Sequence, residues 1–123
     1  MNLFDSSALL CFLQGESGAD VVERTLSQDG GSVSAANWSE VAQKIIARKQ
    51  DWDLARGLLQ SYGLDVEPVL RSDAEVAASL WRRGSGLSLG DRLCLATGRR
   101  LDATVWTADA AWGTAAPIRQ VRQ

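Results

Sequence analysis

The chain has no histidine, and only two of its 13 basic residues are lysines, Lys44 and Lys49. Without histidine there is no imidazole general base, no Ser-His-Asp or Cys-His catalysis, and no zinc site that needs histidine. Cysteine is scarce too. Cys11 and Cys94 cannot build a four-cysteine zinc site, and both lie in apolar helical contexts that suggest buried free thiols in a reducing compartment, here the cytoplasm. No apolar run approaches the roughly 18 residues of a membrane span, and no secretory leader is expected at the start. Acid–base or metal chemistry in this chain therefore rests on carboxylates.

The 123 residues are 46% hydrophobic and 23% charged, as expected for a single globular domain over 1–123 with a sizeable core. The net charge of −2 hides an asymmetry. Residues 1–81 carry 6 basic and 12 acidic groups, whereas residues 82–123 carry 7 basic and 3 acidic ones. All seven of those basic groups are arginines: Arg82, Arg83, Arg92, Arg99, Arg100, Arg119 and Arg122. Arginine suits phosphate because its planar fork donates two hydrogen bonds at once.

The most informative stretch is LSLGDRLCLATGRRLDATVWTAD, from Leu87 to Asp109. Ser88 with Asp91 three residues later reads as a helix N-cap with an acidic partner in the first turn. Ala103 to Thr107 reads as a short buried strand, and Asp109 is placed to cap a helix from Ala110 to about Ala115. A parallel strand and the helix leading into it run in opposite directions. Asp91 and Asp109 therefore belong at one edge of the sheet, the carboxyl edge where open α/β sheets hold their ligands.

Taken in order, Asn2 to Asp5 predicts a first strand, with Ser6 or Ser7 capping the helix that follows. Helices are expected over Ala19 to Gln28, over Asn37 to Lys49, and from Asp51 to a stop at Gly63. Ser32 to Ala35 is a weak second strand, and Leu64 to Val69 a third, placed at an edge by Pro68. Ser72 and Glu75 form a candidate capping box for a helix through about Arg83. That helix either crosses the sheet edge or runs partly back up it. Ile118 to Arg122 is the last strand. The alternation predicts a parallel sheet with helices on both faces, with the first strand and the Thr104 strand adjacent at its middle.

This topology brings Asp5, Glu40, Asp91 and Asp109 toward one edge. Each has an ordinary role by itself: Asp91 and Asp109 as caps, Asp5 as a turn residue, Glu40 as a solvated helix acid. Capping does not require their convergence, however. Like charges about 4 Å apart cost roughly 4 kcal/mol per pair even at an effective dielectric near 20. Either some are protonated or a cation sits among them, and all-oxygen donors select Mg²⁺ or Mn²⁺. Such a site can activate a water against a phosphodiester. The Thr107 hydroxyl is placed to orient that water, and Arg92, next to Asp91, to reach a substrate phosphate. Glu16 reads as a loop-surface acid. The five tryptophans read mainly as core or interface, with exposed Trp38 or Trp52 as candidates for a dimer surface.

At these residues the sequence resembles a PIN-domain ribonuclease of the VapC toxin type. The resemblance is carried by FDSSALL (Phe4 to Leu10), by Ser34 and Glu40 at their spacing, by LSLGDRLCLA (Leu87 to Ala96) and by TADAAW (Thr107 to Trp112). It implies a three-layer α/β/α sandwich with a five-stranded parallel sheet. It implies that Asp5, Glu40, Asp91 and Asp109 hold Mg²⁺ or Mn²⁺, supported by Thr107 and by Ser6 beside the first aspartate. The implied activity is metal-dependent endonucleolytic cleavage of RNA, leaving a 5′-phosphate and a 3′-hydroxyl. The implied partners are a second copy in a homodimer and a cognate antitoxin whose tail enters the groove.

Other readings are a catalytically silent RNA-binding or interaction module on the same fold and a DNA-directed nuclease of the superfamily. A phosphoacceptor signalling domain also keeps acids at this edge, but it needs a paired early acid and a late lysine. This chain has Ser6 and Ser7 after Asp5, and no lysine after Lys49.

Overall fold

The computed structural model describes residues 1–122; Gln123, the last residue of the expected domain, lies outside them. Five short strands form one sheet: β1 (Asn2–Phe4), β2 (Ser32–Ser34), β3 (Asp65–Glu67), β4 (Thr104–Thr107) and β5 (Ile118–Gln120). Their order is β3-β2-β1-β4-β5, and every pairing is parallel. β1 and β4 are adjacent at the centre, with Phe4 opposite Trp106. β3 lies at an edge, where Pro68 costs no ladder bond.

Six helices connect the strands: α1 (Ser6–Leu13), α2 (Ala19–Asp29), α3 (Ala35–Ala47), α4 (Trp52–Ser61), α5 (Arg71–Ser79) and α6 (Leu89–Leu101). The pleat splits successive strand residues between two cores. Phe4, Val33 and Trp106 join Leu9, Val22, Leu26, Val41, Ile45 and Leu59 from the first four helices. Leu3, Val105 and Ile118 join Cys94 of α6 on the other face. At Gly98, α6 approaches β4 so closely that a β-carbon there would lie 2.6 Å from Val105 Cγ2.

Several helix starts differ from expectation. The N-cap of α1 is Asp5 itself, whose carboxylate accepts from Ala8 N at 2.8 Å, and not Ser6 or Ser7. Ser34 caps α3, so that helix begins at Ala35, two residues early. In α5 the capping acid is Asp73, which accepts from Leu70 N at 3.0 Å, and Ser72 lies inside the helix. Arg100 explains the choice. Its Nε donates to Asp73 at 2.9 Å, fixing that carboxylate at the helix start. The helix expected to reach Arg83 stops at Ser79. The expected helix after Asp109 is a single 3₁₀ turn, Ala110–Trp112, ended by Gly113 at φ 73°.

The path between β3 and α6 is also resolved. Asp73 near the start of α5 meets Arg100 near the end of α6, while Ala77 meets Arg92 near its start. The two helices are therefore antiparallel, and α5 carries the chain back toward the carboxyl edge before residues 80–87 lead into Ser88.

Candidate active site

The site is built where β1, β2 and β4 end and α1, α3 and α6 begin. Asp5 is 3% exposed and serves two structures at once. Oδ1 accepts from Ala8 N and from Ser7 Oγ at 2.7 Å, and Oδ2 accepts from Thr107 Oγ1 at 2.5 Å. Thr107 in turn accepts the Asp109 N–H at 3.0 Å. Ser7 accepts the Ala108 N–H at 2.9 Å. Two hydroxyls thus tie the first aspartate to the turn that carries the last one. Burial raises the Asp5 carboxyl from 3.8 to about 6, against the Thr107, Ala8 and Ser7 hydrogen bonds that lower it; the charge of Asp91 raises it further.

Ser7, and not Ser6, donates to the Asp5 carboxylate; Ser6 makes no side-chain hydrogen bond among the described residues. The choice of Ser7 over Ser6 follows from α1 geometry. With Asp5 as the cap, its carboxylate reaches the second and third helical residues, and Ser7 is the second.

Glu40 is held from two sides. Its Oε1 accepts from Asn37 Nδ2 at 2.7 Å, and the same amide donates to Gly90 O at 3.2 Å. Asn37 is fully buried, and its Oδ1 accepts from Ser34 Oγ at 2.8 Å. A β-carbon on Gly90 would lie 2.5 Å from Glu40 Oε2, so the carboxylate rests against the first turn of α6. The amino end of a helix is a favourable place for that charge. Asn37 and Gly90 escaped the sequence reading. The signal for Asn37 was its position three residues before Glu40, one helical turn away on the same face.

Asp91 completes the expected capping box. Its Oδ2 accepts from Ser88 N at 3.0 Å, and Ser88 Oγ accepts from Asp91 N at 3.1 Å. Its charge reaches Asp5, and together with Asp5 and Glu40 it acts on the buried Cys94 thiol. Burial, then those three carboxylates, push that thiol well above its ordinary range, so Cys94 stays protonated and inert. Asp109 lies two residues past Thr107, whose hydroxyl receives its N–H. It is exposed, its Oδ1 caps the 3₁₀ turn through Ala111 N at 2.9 Å, and its carbonyl accepts from Gln120 Nε2.

Among the described residues no three carboxylates or thiols stand close enough to form a ready metal cage. The candidate donors are nevertheless all hard oxygens, and one of them is a carboxyl whose ionisation is opposed chiefly by its burial. Those two properties fit a hard divalent cation.

Arg92 does not reach toward the acids. Its Nη1 donates to Ala77 O of α5 at 2.9 Å, and its Nε is buried without a partner. One position past Asp91 is about 100° around the helix, which turns the side chain toward α5. Trp38 and Trp52 meet edge to face at 5.1 Å and are half-buried against the larger core. Glu16 is an exposed loop acid beside Arg122, as expected.

The family described as "PIN domain" matches residues 3–116. Ribonuclease VapC42 of Mycobacterium tuberculosis is 38% identical over 100 residues, covering 72% of this chain and 76% of that protein. A VapC ribonuclease of Mycobacterium bovis matches to the same extent. Among solved structures, a toxin–antitoxin complex from Klebsiella pneumoniae superposes with a TM-score of 0.81 at 19% identity, covering 100% of this chain and 99% of that one. Mycobacterium tuberculosis VapC20, described as a sarcin–ricin loop cleaving toxin, superposes with a TM-score of 0.74 at 18% identity, covering 94% and 95%. At such identities the structural likeness is one of fold.

Proposed function

Since the chain belongs to the PIN-domain family, among relatives named VapC ribonucleases, we propose that it cuts RNA through a carboxylate-held Mg²⁺ or Mn²⁺. It is a VapC-type endoribonuclease and acts as the toxin of a toxin–antitoxin pair. The observation that carries the metal-dependent reading is the buried Asp5 carboxylate, bonded to Ser7 and Thr107, at the edge where Glu40 rests against the first turn of α6 beside Asp91.

In this reading Asp5, Glu40, Asp91 and Asp109 hold the cation. Once bound it supplies Lewis acidity, lowering the pKa of a water and offsetting charge on the phosphoryl oxygens. The chain's own groups prepare the place. Ser7 and Thr107 donate to Asp5 and orient its carboxylate. Asn37 does the same for Glu40, and the Ser88 amide for Asp91. Above a pH of about 6 Asp5 is ionised and able to act as a ligand. Water adds to phosphorus as the bond to the 3′ oxygen breaks, leaving a 5′-phosphate and a 3′-hydroxyl.

A cognate antitoxin, a homodimeric assembly and a cytoplasmic location belong to the same reading. No helix is long and apolar enough to cross a membrane among the described residues. Cys11 and Cys94 are free buried thiols, in keeping with a reducing compartment.

The test is cleavage of total cellular RNA by purified protein, with Mg²⁺ or with EDTA, beside Asp5→Asn and Asp91→Asn. Discrete fragments that need both the metal and the two aspartates are expected. Equal cleavage by the folded variants, or by wild type in EDTA, would overturn the reading.

A further inference from the structure

The acidic edge repels RNA, so affinity has to come from cationic surface elsewhere. The arginine-rich end of the chain is the obvious source, yet part of it is spent internally. Arg92 is tied to α5, and Arg100 is paired with Asp73 at 2.9 Å and Glu67 at 3.8 Å. A different surface remains. Between α2 and the edge strand β5 lies a cleft of about 550 Å³, rimmed by Arg24, Arg119 and Arg122 and floored in part by Trp106 and Thr25.

The three guanidiniums differ in how they are held. Arg119 lies 4.9 Å over the Trp106 ring. A cation against an aromatic face is fixed in place while its in-plane N–H donors stay available. Arg122 is anchored through Nε to Ser17 O at 3.1 Å and is partly offset by Glu16 at 3.5 Å. Arg24 and Arg119 are exposed and have no carboxylate partner among the described residues. Like charges gathered around one cleft call for an anion.

The cleft is also joined to the acid edge. Arg119 pairs with Trp106 and Gln120 with Thr107, the residue that bonds Asp5. Gln120 lines the cleft and holds the Asp109 carbonyl at 2.9 Å. From that end the cleft runs along β5 to Thr114 and Ile118.

We propose that this cleft binds the phosphodiester backbone of the RNA outside the cleaved stretch, with Arg24 and Arg119 as its phosphate contacts. The inference rests on the ribonuclease reading for its substrate and on the cleft for its chemistry. Guanidinium forks against a flexible single strand give affinity without reading bases.

The test is fluorescence anisotropy of a labelled 20-nucleotide single-stranded RNA with the full chain in EDTA, which reads binding without cleavage. Replacing both arginines (Arg24→Gln with Arg119→Gln) is expected to weaken binding roughly tenfold near 0.1 M salt. The slope of log affinity against log salt should become shallower by about 1.4, or about 0.7 per lost contact. Arg24→Gln alone, on an exposed helix face, should show about half that change and guards against misfolding of the pair. Arg83→Gln, near the exposed Trp81, is the control and should keep the parent affinity. Parent affinity and slope in the double variant would overturn the proposal. The two readings fail separately. Arginine-dependent binding without any cleavage in Mg²⁺ leaves the cleft standing and removes the nuclease. Cleavage with arginine-independent binding does the reverse.

Discussion

The Glu40 carboxylate occupies the space where a β-carbon on Gly90 would be, 2.5 Å from Oε2. Two acids of the site are thereby fixed relative to each other, because Gly90 directly precedes Asp91. Gly90→Ala should drive Glu40 away from the start of α6. Alanine is the better helix former by up to about 1 kcal/mol, so the fold should survive. We expect at least a tenfold loss of RNA cleavage, with a melting temperature within a few degrees of wild type. Undiminished cleavage would show that the position of Glu40 is immaterial.

Asn37→Ala should cost more stability, because Asn37 is fully buried and bonds three partners. Unsatisfied partners predict a loss of about 1–3 kcal/mol by urea unfolding. Asn37→Asp replaces the donor to Glu40 with a second carboxylate. It should raise the Mg²⁺ concentration needed for half-maximal cleavage. An unchanged requirement would show that Asn37 supports only the core.

The pH dependence of stability follows from Asp5. Its folded carboxyl titrates near 6 against an ordinary 3.8. The folded state therefore holds the proton longer than the unfolded one, and this contribution to stability falls as pH rises from about 4 to above 6. The loss is on the order of 3 kcal/mol. In EDTA, the melting temperature should rise as pH is lowered from 7.5 to 5. Mg²⁺ should restore stability at pH 7.5 and do little at pH 4.5. A metal-free protein indifferent to pH across that window would contradict the burial argument.

Thr107→Val keeps the shape of a fully buried strand residue and removes a hydrogen bond that holds the Asp5 pKa down. The acidic limb of the pH–rate profile should therefore move to higher pH. It also orphans the Asp109 amide. A profile at the wild-type position, with only its height changed, would separate Thr107 from the ionisation of Asp5.

Asp73 predicts the opposite sign. Burial raises its carboxyl, but the Arg100 hydrogen bond, the Leu70 amide and the Arg100 charge together hold it below the ordinary range. This contribution is present above the unfolded pKa near 4 and is lost as pH falls through the lower folded value. Asp73→Asn should cost about 1–3 kcal/mol at pH 7, with the partial exposure of Arg100 moderating the loss. The cost should shrink toward pH 2. A constant penalty across that range would assign it to packing.

What the sequence by itself determined was local or periodic. The alternation of strands and helices, the Ser88–Asp91 cap and the edge position of β3 beside Pro68 each follow from neighbouring residues. The carboxyl-edge location of the acids also followed, because strand direction and helix direction are coupled. Tertiary structure decided which partner each polar group chose. Ser7 displaced Ser6 because Asp5 took the cap. Asp73 displaced Glu75 because Arg100, 27 residues away, completes it. Arg92 turned from the acids because α5 packs against that side of α6, and Asn37 met Gly90 across 53 residues. Backbone preference is written in adjacent residues. The face a helix presents, and hence the partner of each buried polar group, is set only when the helices press together and every donor must find an acceptor.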